Sequence, residues 1–198
     1  MSHDASAPQP DPRKRNRGML IALFVLFFGS MLIAGLLRFS GWQPQGMKNH
    51  GELLQPPADL RKLQVRGTDG GQYPWEPQKR LWRIALAPPA DCGDECARLA
   101  RDIDKVWQLL GKNADRVHVL WLCPTSAACT PPDAAPPATA MRVLQADPAL
   151  RAALPRVDDP DGVPVYVIDP NGFVILRYPP GFDLGGLRTD LARLLKLM

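Results

Sequence analysis

Histidine is scarce in this sequence: His3, His50 and His118 are the only three in 198 residues, and none follows position 118. Chemistry that needs several imidazoles has little to draw on. Aromatic residues are sparse as well, at 7%, and no basic stripe carries interleaved aromatics, which excludes nucleic acid as a partner. Much of the net charge of +4 is concentrated in Arg13, Lys14, Arg15 and Arg17 near the start. There is no internal repeat. The four cysteines are Cys92, Cys96, Cys123 and Cys129. Their spacing, one Cys-x3-Cys and one Cys-x5-Cys, is a poor match to a four-thiolate zinc centre.

Long apolar runs are absent too, with one exception. Gly18 to Leu37 carries no charge and is rich in Leu, Ile, Phe and Met, and about 20 such residues cover a bilayer core. A secretory leader has a shorter apolar region, ~7–15 residues, followed by a small-residue cleavage site. Leu36-Leu37-Arg38-Phe39 offers none, so the segment reads as an uncleaved signal anchor. The cations before it keep the N-terminus cytoplasmic. The expected organisation is a disordered basic tail over 1–17, a transmembrane anchor over 18–38, a periplasmic tether over 39–59 and one domain over 60–198. That is a single-pass protein of a bacterial inner membrane, its domain in a compartment where cysteines oxidise.

Within the domain, apolar periodicity gives an alternation of strands and helices. Leu63-Gln64-Val65 and Gln72-Tyr73, joined through Asp69-Gly70-Gly71, predict a small hairpin. Leu81 to Leu86 is a short apolar strand. From Cys96 on, Leu99, Ala100, Ile103, Val106, Trp107 and Leu110 recur at helical spacing, which turns Cys96 inward and Cys92 outward. Val117 to Leu122 is an almost wholly apolar run, the pattern of a strand covered on both faces of a parallel sheet. Met141 to Leu144 predicts a lesser strand, and Pro148 to Leu154 a short helix. Val165 to Ile168 and Phe173 to Tyr178 flank Asp169-Pro170-Asn171-Gly172, whose Asn-Gly marks a hairpin. Leu184, Leu187, Leu191, Leu194, Leu195 and Met198 line one face of a last helix.

Cys92 and Cys96 sit where a strand gives way to a helix. The helix N-terminus carries roughly half a positive charge and unpaired N–H groups, which favour a thiolate. In a redox reading Cys92 attacks and the buried Cys96 resolves. Asp91, Asp94 and Glu95 crowd the turn and oppose thiolate formation, although they would favour a bound cation. As a mere staple the bridge closes a short loop, and contributes less than the ~3 kcal/mol of a loop of about 15 residues. Exchange, metal binding and staple all stay open on spacing alone. Cys123 and Cys129 close the second parallel strand and its Pro/Ala loop. They form either a structural disulfide or a second exchanging pair on the rim that carries Cys92.

The order βαβ then ββα, behind an N-terminal hairpin, resembles the α/β thioredoxin-like core. From about Leu63 to Met198 the chain is similar to the redoxin side of that superfamily, and above all to the membrane-anchored Sco-type factors that help load copper into cytochrome oxidase. The likeness is carried by the anchor, the early hairpin, the Cys92-x3-Cys96 motif and "YVIDPNG" from Tyr166 to Gly172. It implies Cu(I) held by Cys92 and Cys96, a task in respiratory cytochrome c oxidase assembly, and an oxidase subunit or another assembly factor as partner. It also implies a ligand histidine upstream of the late hairpin, where this chain has Asp161. His50, in the tether, is left to supply that ligand by folding back.

Ala97 stands where a proline commonly follows the second cysteine of that family. Conversely, Gly162-Val163-Pro164-Val165 matches the pattern at which thioredoxin-like oxidoreductases hold a cis proline against the disulfide, so Pro164 joins Cys92 and Cys96 as a candidate catalytic position. These departures move the expected function from copper toward thiol–disulfide exchange. The alternative is a non-catalytic redoxin-fold interaction module with structural disulfides. His118, at the start of a buried strand, reads as a satisfied core residue.

Overall fold

The computed structural model describes residues 12–40, 48–67, 70–90, 92–123, 141–145 and 147–197. Two units are distinguished, Met1–Met47 and Lys48–Met198. In the first, helix α1 spans Pro12–Phe39, and its Asn16–Phe39 part is long and apolar enough to cross a membrane. Pro12 suits a first helical position, where the missing N–H costs nothing. Arg and Lys are good helix formers, so the helix runs back through the basic cluster; this corrects the expected disordered tail for 12–17. The rest of that tail and tether residues 41–47 lie outside the described residues.

The second unit is a seven-stranded sheet in the order β1-β7-β6-β3-β4-β5-β2. The strands are β1 Glu52–Asp59, β2 Arg66–Gly67, β3 Trp82–Leu86, β4 Val117–Cys123, β5 Met141–Gln145, β6 Val165–Ile168 and β7 Phe173–Tyr178. The helices are α2 Asp94–Gln108, α3 Pro148–Ala152 and α4 Leu184–Leu194. Strand β3 pairs in parallel with β4, and β4 with β5; β6 runs antiparallel to β3, and β7 to β6. The βαβ and ββα halves of the expected core are therefore both present.

Two expectations are corrected at the sheet edges. Glu52–Asp59 is not tether: it pairs antiparallel with β7, Glu52 opposite Arg177 and Ala58 opposite Val174. Pro56 and Pro57 obscure the strand in the sequence, and they are tolerated because edge strands need not donate on both sides. The early hairpin shrinks to a single bridge, Arg66 to Gln72, while β2 makes its ladder with β5.

The core lies on both faces of the sheet. Ile84, Leu86, Val119, Trp121 and Val167 meet α2 and α4 through Cys96, Ile103, Leu187 and Leu191. The other face, with Leu120, Leu122, Tyr166 and Ile168, is covered by Leu60, Val65, Tyr73, Trp75 and Leu150 of α3. The β6–β7 turn closes on Gly172, whose φ of 99° favours glycine. A Cβ there would stand 3.2 Å from the Trp75 ring, so the tight turn also seats the aromatic segment.

Candidate thiol–disulfide site

Strand β3 ends at Leu86, and six residues later Cys92 begins the approach to α2. Parallel neighbours share an edge at their carboxyl ends, which is where α/β sheets carry their sites. Cys92 and Cys96 form a disulfide with Cα atoms 5.5 Å apart. Cys96 is 1% exposed and packs among Ala100 and Ile103, whereas Cys92 is half-buried at the margin of that cluster. Cys96 turns inward as expected, while Cys92, expected to point outward, keeps one side against the core cluster.

Gly93 caps α2 without a side-chain hydrogen bond, and Asp94 and Glu95 occupy its first turn. Their charges stabilise the helix N-terminus but raise the cost of a thiolate at Cys92. Asp91 lies outside the described residues. Glu95 does something the sequence did not announce. Its Oε1 accepts from Val163 N at 3.4 Å, and it sits so close over Gly162 that an added Cβ would run into it. The motif thus reaches across to the loop before β6. Gly162 takes φ 135° there, and its N–H donates to the Asp159 carbonyl at 3.3 Å. Asp159 in turn pairs with the buried Arg177.

Pro164 follows this loop and is buried. The one cis peptide bond among the described residues is Gln55–Pro56, so Val163–Pro164 is trans, which corrects the expected cis proline. The bend is made instead by Gly162. A depression of about 300 Å³ opens beside the motif, lined by Glu95, Arg98, Leu99, Asp161, Val163 and Phe182 among others.

The residues do not fit a three-ligand copper site. Asp161 is exposed, and a carboxylate is a hard ligand where Cu(I) selects soft ones. His50 turns its Nδ1 toward Asp190 Oδ1, 3.2 Å away. Among the described residues no three His, Cys, Asp or Glu side chains converge to hold a metal ion. Cys123, at the end of β4, is buried and disulfide-bonded; Cys129 lies outside the described residues. His118 is satisfied as expected, hydrogen-bonded to the Tyr73 hydroxyl at 2.9 Å.

Solved structures of the same fold include several Sco proteins. The copper-bound Arabidopsis thaliana ScoI superposes with a TM-score of 0.51 at 14% identity, over 68% of this chain and 96% of that one. Copper-bound yeast Sco1 gives 0.53 at 14%, over 75% and 93%. BsSco, described as having a disulfide switch and as a member of the Sco family of cytochrome c oxidase assembly proteins, gives 0.56 at 12%, over 75% and 98%. At these identities the likeness establishes a thioredoxin-like fold shared with Sco proteins, as the sequence led one to expect. No curated protein matches the sequence. A family model described as "Transmembrane-like, thioredoxin-like, C-terminal domain" matches residues 82–198. With the apolar helix Asn16–Phe39, this supports a single-pass anchor. More than half of the chain falls within that match, and the protein belongs to the transmembrane-like, thioredoxin-like family.

Proposed function

We propose that the chain is a thiol–disulfide oxidoreductase anchored in a bacterial inner membrane, its N-terminus cytoplasmic and its domain periplasmic. Its substrate is a cysteine pair on a cytochrome c oxidase subunit or on another factor of oxidase assembly. The observation that carries the reading is the asymmetry of the bridge: Cys92 is half-buried and Cys96 is 1% exposed, at the start of a helix. An exposed sulfur can be attacked, and a buried one can only be attacked from within. The link to oxidase assembly is taken from the Sco family as the BsSco structure describes it.

In the reducing direction, the Cys92 thiolate attacks one sulfur of the partner's disulfide, and the partner's other sulfur leaves as a thiolate. The Cys96 thiolate then attacks Cys92 Sγ and expels the partner's remaining thiolate. The partner gains two electrons, Cys92 and Cys96 lose two, and the protons they released are taken up by the partner's thiolates. The opposite direction is the same exchange run backwards. No step passes through copper.

Trapping tests this. Cys96→Ser leaves Cys92 in an unresolved mixed disulfide, which should accumulate in cells and identify the substrate by nonreducing electrophoresis and mass spectrometry. An adduct with an oxidase subunit or assembly factor is expected. If Cys96→Ser yields no adduct absent from Cys92→Ser/Cys96→Ser, and dithiothreitol cannot open the wild-type bridge, the non-catalytic interaction module replaces this reading.

A further inference from the structure

The loop before β6 is held by a buried charge on the far face of the sheet. Leu176 and Tyr178 of β7 join the cluster under α2 and α4, so Arg177 between them points to the opposite face. It is 1% exposed and stands across from Tyr166 of β6 and Glu52 of β1. Its Nη2 pairs with Asp159 Oδ2 and donates to the Arg156 carbonyl at 3.4 Å. Nη1 stays 3.7 Å from Glu52 Oε2, a carboxylate already engaged by Arg156. Nε is buried with no hydrogen-bond partner among the described residues. Asp159 is therefore the main counter-charge of a buried guanidinium, and such a charge holds its partner in place because losing it leaves the ion uncompensated.

Asp159 carries that anchorage to the cysteine motif. Its Oδ1 accepts from Asp161 N at 3.1 Å, and its carbonyl accepts from Gly162 N at 3.3 Å. The next residue, Val163, donates its N–H to Glu95 Oε1 at 3.4 Å. No Cβ would fit on Gly162 beside that oxygen, so the carboxylate is seated directly on the loop. Glu95 belongs to the first turn of α2, three residues after Cys92. Asp94 shares that turn, while Arg98, Asp102 and Asp161 line the depression beside it. Asp102 is paired with Lys105 at 3.1 Å. Of the two acids in the first turn, Glu95 is the one that reaches the loop.

We propose that Arg177 and Asp159 are positioning residues for the thiol site. By fixing the loop they hold the Glu95 carboxylate on the Val163 N–H, and so set the pH at which Cys92 becomes a thiolate. The N–H dipole offsets part of the carboxylate's field; a released Glu95 opposes the thiolate more strongly. The inference rests on the exchange reading in taking Cys92 as the attacking sulfur, and both residues act on it through Glu95.

The full chain in nonionic detergent, reduced, is alkylated with iodoacetamide over a pH series, and modification of Cys92 is followed by peptide mass spectrometry. Asp159→Asn should move the profile to higher pH by roughly half a unit, about a threefold lower rate near neutral pH. Arg177→Met/Asp159→Asn removes both charges, so that no uncompensated ion is left buried, and should move the profile equally. With Glu95→Gln already in place, neither change should move it. No upward shift in either variant, or a shift of the same size when residue 95 carries no charge, overturns the proposal. Alkylation of Cys92 needs no partner protein, so the absence of a trapped adduct would sink the exchange reading and leave these shifts as they are.

Discussion

Tyr178 donates its hydroxyl proton to Asp190 Oδ2 at 2.7 Å, and that oxygen also accepts from the backbone N–H groups of His50 and Gly51, at 2.6 and 3.1 Å. The acid is 3% exposed. One buried carboxylate on α4 therefore fastens the end of β7 and the residues leading into β1. Arg193, one turn on, adds a hydrogen bond from Nη1 to the Lys48 carbonyl. The packing is close enough that a Cβ on Gly186 would meet His50 Cβ at 2.7 Å.

Asp190→Asn should therefore destabilise the domain by about 1–3 kcal/mol, because the amide keeps one accepting oxygen but loses the charge that strengthens these bonds, and its NH2 replaces the second oxygen. Tyr178→Phe removes one donor and should cost about 1 kcal/mol. Burial works to raise the pKa of Asp190, but the hydrogen bonds from Tyr178, Gly51 and His50 outweigh it and hold the group below the ordinary 3.8. A carboxyl depressed by folding contributes stability that is complete above the unfolded value and is lost as pH falls through the folded one. Denaturant unfolding between pH 5 and pH 2 should show that loss in wild type and a smaller one in Asp190→Asn; equal losses would refute the assignment.

His118 should govern a separate, milder window. Its pKa falls from 6.5 to about 4 on folding, so the unfolded chain takes up the proton first. Stability is then complete above 6.5, declines between 6.5 and 4, and levels off below. His118→Gln, which cannot titrate, should flatten the midpoint of thermal unfolding over that interval. A slope that survives the substitution would mean that another group titrates there.

These two devices show where the sequence was legible and where it was not. The period of Leu187, Leu191 and Leu194 located α4, and the apolar runs located β3, β4, β6 and β7, because burial on one or both faces leaves a regular signature. Asp190 breaks that stripe, as Arg83 breaks β3 and Arg177 breaks β7. A charge inside a buried pattern was the available signal for each network, but its partners are distant in the chain: Asp190 answers to His50, and Arg83 to the carbonyls of Asp169 and Pro170. Strand β1 was hidden by Pro56 and Pro57, which are acceptable only because the strand lies at an edge. Glu95 lies within the motif itself, yet its reach to Gly162 depends on a loop that comes near only through the sheet. The trans bond at Pro164 was likewise beyond the reach of a local sequence pattern.

Glu95→Gln should make Cys92 more reactive. The substitution removes a negative charge from the first turn of α2 while keeping an oxygen that can accept from Val163 N. With the charge gone, the Cys92 thiolate forms at lower pH. After reduction, the rate of alkylation by iodoacetamide against pH should shift to lower pH relative to wild type. Glu95→Ala should show the same shift and, in addition, a less protected Gly162–Val163 loop by hydrogen exchange. A profile unchanged in both variants would mean that the carboxylate is too well solvated to matter.

Topology is testable with the same cysteines. If the domain is periplasmic, a membrane-impermeant thiol reagent should label Cys92 and Cys96 in intact spheroplasts after mild reduction. Labelling seen only after lysis would reverse the orientation and remove the oxidising compartment from the proposed function.

The two sulfur positions should separate stability from chemistry. Cys92 and Cys96 are bridged across a sequence separation of 4, and so short a loop restricts the unfolded chain little. Its contribution should fall below the ~3 kcal/mol expected for loops of about 15 residues. Cys92→Ser/Cys96→Ser should therefore abolish exchange with a dithiol while leaving the thermal midpoint nearly unchanged. Cys123 is buried at the end of β4 and is also disulfide-bonded, so Cys123→Ser adds a polar group to the core and opens a bridge. A loss on the order of 2 kcal/mol is expected, with exchange at Cys92 intact. Calorimetry and a dithiothreitol equilibration assay on the same three proteins decide the matter. If the Cys92/Cys96 variant proves the less stable and the wild type never exchanges, the first bridge is a staple, and its half-buried sulfur has no partner to meet.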